Sequence, residues 1–452
     1  MIEDKKLYLF EQAPVPRAVM SMSVPTVISS LVMVIYNLAD TYFVGMLGDP
    51  IQNAAVTLSA PILLAFNAIN NLFGIGTSSL MSRALGKKEY DEVRRASAFG
   101  FYCTVFCSFL FSVIYLTVKS PLLVLLGTDA DTVAATAEYM KWTVALGAMP
   151  AILNVVMAYM VRSEGSTAHA SIGTMSGCIL NIILDPIFIL PQGLGMGAAG
   201  AGLATFLSNC AACLYFFCLL FIKRKRTYVC INLRMFRLKK EIIAEVCKVG
   251  IPAAIQNLLN VVGMTVLNNF TSSFGANAVA AMGIAQKIDM VPMNVAFGFS
   301  QGIMPLISYN YASGDRKRMK ETVVFAGKVT VFVLAAVASC FFAASGFWME
   351  LFIRNESIVA YGASFLKGLC IALPFLGMDF LAVGVFQAVG MGEKAFFFAI
   401  LRKIIMEIPA IYLLNKIVPL YGMAYAQFVT EVVLAVAAVA VLRKMFLNSE
   451  HL

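Results

Sequence analysis

Two acidic residues lie inside segments of the sequence that are otherwise apolar. Asp40 belongs to "YNLADTYFVG" at 36–45, and Asp185 belongs to "GCILNIILDPIFIL" at 177–190. A carboxylate in hydrocarbon is costly unless it is paired, hydrated or protonated. Acids retained at such positions usually have a functional role, so both residues are candidates for a site that handles charge.

Four polar residues accompany these acids. Two of them stand three or four residues before an acid and so share its helix face, and two others interrupt the apolar segments "MPAILNVVMAYM" and "GMGAAGAGLAT". The six residues that we expect to converge inside one helical bundle are Asn37, Asp40, Asn154, Asn181, Asp185 and Thr205. For Asn37, Asn154 and Thr205 the alternative is a hydrogen bond that only joins helices.

The expected chemistry of this cluster is reversible binding of a small cation. Two carboxylates in a poorly hydrated cavity cannot easily both be charged, so they can take up a proton and release it when water or a cation arrives. The same group of oxygens could instead hold a desolvated Na⁺, in which case the ligands would be Asp40, Asn181, Asp185 and Thr205. Either chemistry is typical of an ion-coupled antiporter, and no cofactor is needed beyond H⁺ or Na⁺.

The second half of the chain has its own polar residues within apolar segments. The candidates there for contact with a substrate or an ion are Gln256, Lys287, Asp289 and Asp379. Structural ion pairs are the alternative for three of them: Lys287 with Asp289, and Asp379 with Lys367.

The elements that must position these residues are membrane-spanning helices. Of 452 residues, 60% are hydrophobic and only 13% are charged, whereas a soluble chain is about one quarter charged. Twelve apolar stretches are long enough to span a bilayer. They are 19–47, 53–82, 96–118, 134–161, 167–190, 197–222, 243–273, 277–310, 322–346, 358–387, 395–415 and 420–442. The sequence therefore predicts an all-α integral membrane protein with twelve transmembrane helices.

Basic residues are concentrated in the loops on one side of these segments. They include "KRKR" at 223–226, "DRKRMK" at 315–320, and Arg402 with Lys403. Cytoplasmic loops carry the excess of Lys and Arg, so we expect a multi-pass protein with both termini in the cytoplasm. This asymmetry accounts for the net charge of +9, and we expect no nucleic-acid partner.

The two halves of the sequence resemble each other. Pro25 matches Pro252 and Gly48 matches Gly275 at the same offset, and similar pairs continue along the chain. The repeat predicts two pseudo-symmetric six-helix bundles, at 1–222 and 241–452, joined by a basic cytoplasmic linker at 223–240. Asp40 faces Leu267 in this alignment, so the pair of acids belongs to the first half alone.

Composition argues against an enzyme. The chain has two histidines and lacks a GxxxxGK[ST] loop, so a His-ligated metal site, a His-assisted nucleophile and ATP hydrolysis are not expected. Its ten cysteines lie mostly in apolar runs without metal-ligand spacing.

Several motifs resemble those of the multidrug and toxic compound extrusion (MATE) family over nearly the whole chain. They are "P…YNLADTYFVGMLG", "GIGTSSLMSRALGKKE", "RSEGST", "NIILDPIFI", "GMGAAGAGLAT" and "FGFSQGIMPLISYNYASG". The resemblance implies a V-shaped pair of bundles, alternating access, and export of organic cations or drugs against H⁺ or Na⁺ across a bacterial plasma (inner) membrane. We expect the protein to act as a monomer in the lipid bilayer.

The resemblance also implies roles for individual residues. Asp40 and Asp185 match the family's amino-lobe acids, and Asn154, Asn181 and Thr205 match their polar companions. Pro25 matches a proline whose bending is linked to protonation in some members. Asp379 falls near the second-lobe carboxylate of sodium-coupled members, but Gln256 stands close to where such members have an acid, which favours the first-lobe site.

Two other kinds of transporter remain as alternatives. A flippase for a lipid-linked precursor would be expected to place Arg or Lys in its central cavity, and here the lysines within helices are Lys141, Lys287 and Lys367. A channel would be revealed by single-channel conductance in planar bilayers.

Overall fold

The computed structural model describes residues 3–448, and the side chains of 7–446. All regular secondary structure in the described residues is helical. The α-helices are α1 Glu3–Glu11, α2 Val15–Gly45, α3 Pro50–Ile69, α4 Gly76–Gly86, α5 Tyr90–Leu125, α6 Val133–Met140, α7 Ala148–Ser163, α8 Thr167–Ile189, α9 Ala198–Ile222, α10 Lys240–Ser272, α11 Ala276–Ala312, α12 Arg316–Ala343, α13 Ser345–Glu350, α14 Glu356–Ala388, α15 Gly392–Ile400, α16 Ile408–Ile417 and α17 Ala426–Asn448. The prediction of an all-α membrane protein is confirmed.

Shorter helical segments interrupt or connect these helices. Three have the wider π-helical geometry, at Asn70–Ile75, Lys141–Leu146 and Leu401–Glu407. Two are 3₁₀ turns, at Leu233–Met235 and Tyr421–Tyr425. π-Helical turns are often found at functional sites, because the extra residue changes which side chains face inward.

Ten helices in the described residues are long and apolar enough to cross a membrane. The pair Val133–Leu146 and Ala148–Ser163, bent by 47°, makes an eleventh span if it is counted as one. The remaining predicted segment, 395–415, is divided among α15, a π-helical turn and α16. Its charged residues Arg402, Lys403 and Glu407 explain why this segment is less apolar than the others.

Contacts between Cα atoms divide the described residues into two compact units. Unit 1 comprises 3–9 and 28–254, and unit 2 comprises 10–27 and 255–448. The divisions fall inside α2 and α10, shortly after Pro25 and Pro252. The bundles at 1–222 and 241–452 describe the sequence repeat, and these boundaries remain a prediction.

In unit 2, α11 and α14 form the buried centre. Ser300 and Ser308 of α11 donate hydrogen bonds to the carbonyl oxygens of Phe380 and Ala388 of α14, both at 2.8 Å. The first part of α2 packs closely on α11 at Gly302. Small residues at these positions let helix backbones approach each other, which is how helices associate within a membrane.

We expect Gly302→Ala to destabilise the protein by about 1–3 kcal/mol, because the added methyl group would overpack the contact between α11 and α2. A Cβ atom at Gly302 would lie 2.6 Å from Ser23 Cα and 2.8 Å from the Met22 carbonyl oxygen, and these backbone atoms cannot rotate away. Gly283→Ala in the same helix is the matched control, since a Cβ atom there meets nothing within 4 Å. Thermal unfolding in detergent measures both variants, and equal melting temperatures would contradict this account of the packing.

Candidate functional site

One face of α8 brings the candidate residues of unit 1 against α9. Gly173, Gly177 and Asn181 follow one another at intervals of four, so they lie along the same face of the helix. A Cβ atom at Gly177 would lie 3.1 Å from the Ser208 carbonyl oxygen and 3.2 Å from Ala212 Cβ. The glycines therefore allow close approach of the two helices, and the next turns of α8 place Asn181 and Asp185 in the contact.

Asn181 links the two helices by its side-chain amide. When its nitrogen faces Asp185, it donates to Asp185 Oδ2 at 2.9 Å, and its oxygen accepts from the Thr205 backbone N–H at 3.1 Å. This orientation gives each amide atom a suitable partner, whereas the reverse orientation makes a 3.3 Å contact with Thr205 Oγ1. The exposed fractions of Asn181 and Asp185 are 1% and 0%.

Asp40 enters the same cluster from the second part of α2. It interacts electrostatically with Asp185, which places the two carboxylates near each other in unit 1. No described protein group hydrogen-bonds Asp40 Oδ1, although this oxygen is buried. Four residues earlier in α2, Tyr36 makes a side-chain hydrogen bond with Thr205. The structure therefore brings Asp40, Asn181, Asp185 and Thr205 together.

The cluster has no basic side chain of its own. Among the described residues, no Lys, Arg or His forms an ion pair with Asp40 or Asp185. If both carboxylates were ionised, the site would hold two negative charges in a buried position, which is strongly unfavourable. The arrangement is stable only when a proton or another cation is bound, so it is suited to binding one.

Asn154 and Asn37 have different places from those two acids. Asn154 is buried in α7 and donates to the carbonyl oxygens of Pro150 and Ala151, at 2.7 and 3.0 Å, and to Asn209 Oδ1 at 3.1 Å. These bonds attach α7 to α9, which is the helix-joining role considered above. The side chain of Asn37 is exposed, and its carbonyl oxygen accepts from Thr41 Oγ1 at 2.9 Å.

Two tyrosines belong to the cluster and were not predicted. Tyr36 stands four residues before Asp40, and this helical spacing could have indicated that both side chains share a face. Tyr139, on α6, is 3% exposed and interacts with Asp40, Tyr36 and Asp185. No sequence pattern connects Tyr139 with the acids, because it reaches them only through the packing of α6.

Unit 2 contains a separate group of buried charges. Arg402 Nε lies 2.7 Å from Glu431 Oε1, and Arg402 Nη1 lies 3.7 Å from Asp379 Oδ2. The guanidinium also lies 5.1 Å from the centre of the Phe380 ring. The prediction that Arg402 belongs to a cytoplasmic loop is wrong, since this residue is only 2% exposed. It lies in the π-helical turn Leu401–Glu407, where the wider helix directs it inward.

The other candidates in unit 2 lie around this group or apart from it. Asp289 is buried and interacts with Arg402 and Lys403, whereas Lys287 is exposed. The expected ion pair between Lys287 and Asp289 is not formed in the described structure, and Asp379 pairs with Arg402 rather than with Lys367. Gln256 accepts a 3.4 Å hydrogen bond from Gln387.

Comparison with known proteins identifies the family. A family model described as MatE matches residues 25–187 and 252–413, which together make up most of the chain. This chain belongs to the MATE family. The two matched segments begin at the equivalent residues Pro25 and Pro252, in keeping with the repeat.

Relatives of this MATE chain include multidrug exporters. It is 32% identical over 441 residues to the multidrug export protein MepA of Staphylococcus aureus strain COL, covering 97% of this chain and 96% of that one. It is 32% identical over 440 residues to MepA of Staphylococcus saprophyticus, with the same coverage. The solved outward-facing structure of a multidrug resistance MATE transporter of the MOP superfamily matches with a TM-score of 0.93, at 26% identity and 99% coverage of both chains.

Proposed function

We propose that this MATE-family chain is a multidrug efflux antiporter, which exports cationic or amphipathic organic compounds in exchange for H⁺. The observation that carries the proposal is a buried pair of acids, Asp40 and Asp185, without a basic partner among the described residues. Its relatives support the choice of substrate class, since they are named as multidrug export proteins. The protein is a transporter rather than an enzyme in this proposal.

The proton is exchanged at the two carboxylates. Asp185 accepts a hydrogen bond from Asn181 and can remain ionised, whereas Asp40 Oδ1 has no protein donor. A proton on Asp40 removes the repulsion between the acids, and its loss restores a negative site that attracts an organic cation. Substrate and proton therefore occupy the protein alternately, and alternating access moves each across the membrane.

Movement of α2 is the proposed link between protonation and access. Pro25 has no backbone N–H, so one hydrogen bond of the helix is missing fifteen residues before Asp40. A helix that lacks this bond bends more easily, and bending would displace the segment that carries Asp40. We place the protein as a monomer in a bacterial plasma membrane, with both termini in the cytoplasm.

The orientation of Asn181 favours H⁺ over Na⁺ as the coupling ion. Na⁺ binding needs several oxygen ligands, and the four candidates were Asp40, Asn181, Asp185 and Thr205. The amide nitrogen of Asn181 faces Asp185, and its oxygen is engaged by the Thr205 N–H. The amide therefore presents a donor to the acids, which suits a carboxylate that gains and loses a proton. In the described residues no group of three or more His, Cys, Asp or Glu side chains could hold a metal ion.

Arg402 does not favour the alternative of a lipid-precursor flippase. An anionic carrier would need a basic residue with charge to spare, but Arg402 already faces Glu431 and Asp379. Lys141, Lys287 and Lys367 are exposed. The observations therefore support a cation exporter.

The coupling ion is tested by dye uptake into proteoliposomes. A fluorescent cationic dye is offered while a pH gradient or a Na⁺ gradient is imposed separately, with protein-free liposomes as the control. We expect the pH gradient alone to drive uptake. Uptake that requires Na⁺ would contradict proton coupling. Absence of uptake under both gradients, from folded protein, would contradict drug export, and a lipid-flipping assay would follow.

A further inference from the structure

A long groove lies on the surface of unit 2 between α12 and α17. Both helices pack on α14, and Met378 and Leu381 of α14 form the floor. The groove has a volume of about 990 Å³, which is at the upper end of the range for small-molecule sites. Gly327 of α12 keeps it open, because a Cβ atom there would already contact Leu381 and Met378 at 3.4 and 3.6 Å.

The walls of the groove are apolar over most of its length. From α12 they include Val324, Val331 and Phe332, and Phe332 is 75% exposed. From α17 they include Val439 and Leu442, at the three-residue spacing of one helix face. These residues belong to helices that span the membrane, so the groove opens towards lipid. It therefore has the shape and polarity to hold hydrocarbon chains.

One end of the groove is basic. Lys320 and Lys328 line it from α12, and Arg443 lines it from α17. The described lining residues include these three cations and no carboxylate. Lys328 lies eight residues beyond Lys320, which is about 12 Å deeper along the helix. A lysine at that depth on an exposed, apolar stripe is costly unless its ammonium extends along the groove to an anion.

We propose that this groove is a binding site for a phospholipid with an anionic headgroup. The acyl chains lie between α12 and α17 on Met378 and Leu381, and the phosphate is held by Lys328 and Arg443, with Lys320 at the outer edge. Charge complementarity favours an anionic lipid over a zwitterionic one, since basic pockets between membrane helices on the cytoplasmic side bind acidic headgroups. The site lies wholly within unit 2 and does not depend on the transport activity.

Native mass spectrometry of the delipidated, full-length protein tests this site. The protein is titrated in detergent with phosphatidylglycerol or with phosphatidylcholine of the same acyl chains. We expect preferential binding of phosphatidylglycerol by the wild type, and about thirty-fold weaker binding by Lys328→Gln/Arg443→Gln, because each basic residue near an acidic headgroup contributes about fivefold. Ala335→Trp, which fills the apolar part of the groove, should weaken binding without a change of charge.

The matched control is Lys317→Gln/Lys444→Gln. It removes the same charge from the same two helices at exposed positions outside the groove, and it should bind phosphatidylglycerol nearly as well as the wild type. Equal binding of the two lipids by the wild type would overturn the proposal. So would an equal loss of binding in the control and in Lys328→Gln/Arg443→Gln, since the effect would then come from surface charge alone.

Discussion

Asp40→Asn should reduce gradient-driven dye uptake by at least about tenfold, to the level of protein-free liposomes. Asparagine occupies the same space and can hydrogen-bond, but it cannot exchange a proton at neutral pH. The substitution also removes a buried acid whose Oδ1 has no protein donor. The folded protein should therefore be as stable as the wild type or more stable, as is common when a functional charge is neutralised. Dye uptake under a pH gradient and thermal unfolding are measured on the same preparation.

Asp131→Asn is the matched control for Asp40→Asn. Asp131 is exposed in the connection before α6, so the same chemical change there should leave both uptake and melting temperature unaltered. Normal uptake by Asp40→Asn would remove Asp40 from the coupling mechanism. A melting temperature well below that of the wild type would instead mean that Asp40 stabilises the fold.

Arg402→Gln should destabilise the protein by about 3–5 kcal/mol, the usual cost of breaking a buried ion pair by removing one partner. The substitution leaves Glu431 and Asp379 buried without their shared counter-charge, and their exposed fractions are 0% and 1%. Thermal unfolding in detergent, with expression level as a second readout, measures the loss.

Two further variants separate the charge of Arg402 from its position. Arg402→Gln/Glu431→Gln removes one of the two stranded carboxylates, so it should recover part of the lost stability. Arg354→Gln changes an exposed arginine of the same unit and should have little effect, because exposed charges contribute about 1 kcal/mol or less. If Arg402→Gln were as stable as Arg354→Gln, the buried charges would not be holding unit 2 together.

The candidate site could be predicted in part because an acid in an apolar helix is conspicuous without any structure. Asp40 and Asp185 were found in this way, and Asn181 followed from its spacing of four residues before Asp185. The contacts of Asn154 could not be predicted, since its bond to Asn209 depends on how α7 and α9 pack. Tyr139 joins the acids from another helix, and no local pattern indicates a contact of that kind.

The place of Arg402 was mistaken for a similar reason. Basic residues at the edge of an apolar segment are usually in cytoplasmic loops, and this rule counts residues without knowing which way each side chain points. A π-helical turn adds one residue to a helical turn and changes the face on which the following side chains lie. The sequence carries no simple signal for that turn, so the inward position of Arg402 came only from the structure.

The sequence by itself determined the membrane environment, the all-helical class and the two acids, because these depend on residue type and on local helical spacing. Its matching halves also identified the repeat, since equivalent prolines and glycines recur at the same offset. The tertiary structure decided which polar groups meet: Asn181 between Asp185 and Thr205, Arg402 between Glu431 and Asp379, and a groove between α12 and α17. These contacts join residues far apart in the chain, and only the packing of the helices brings them within reach of one another.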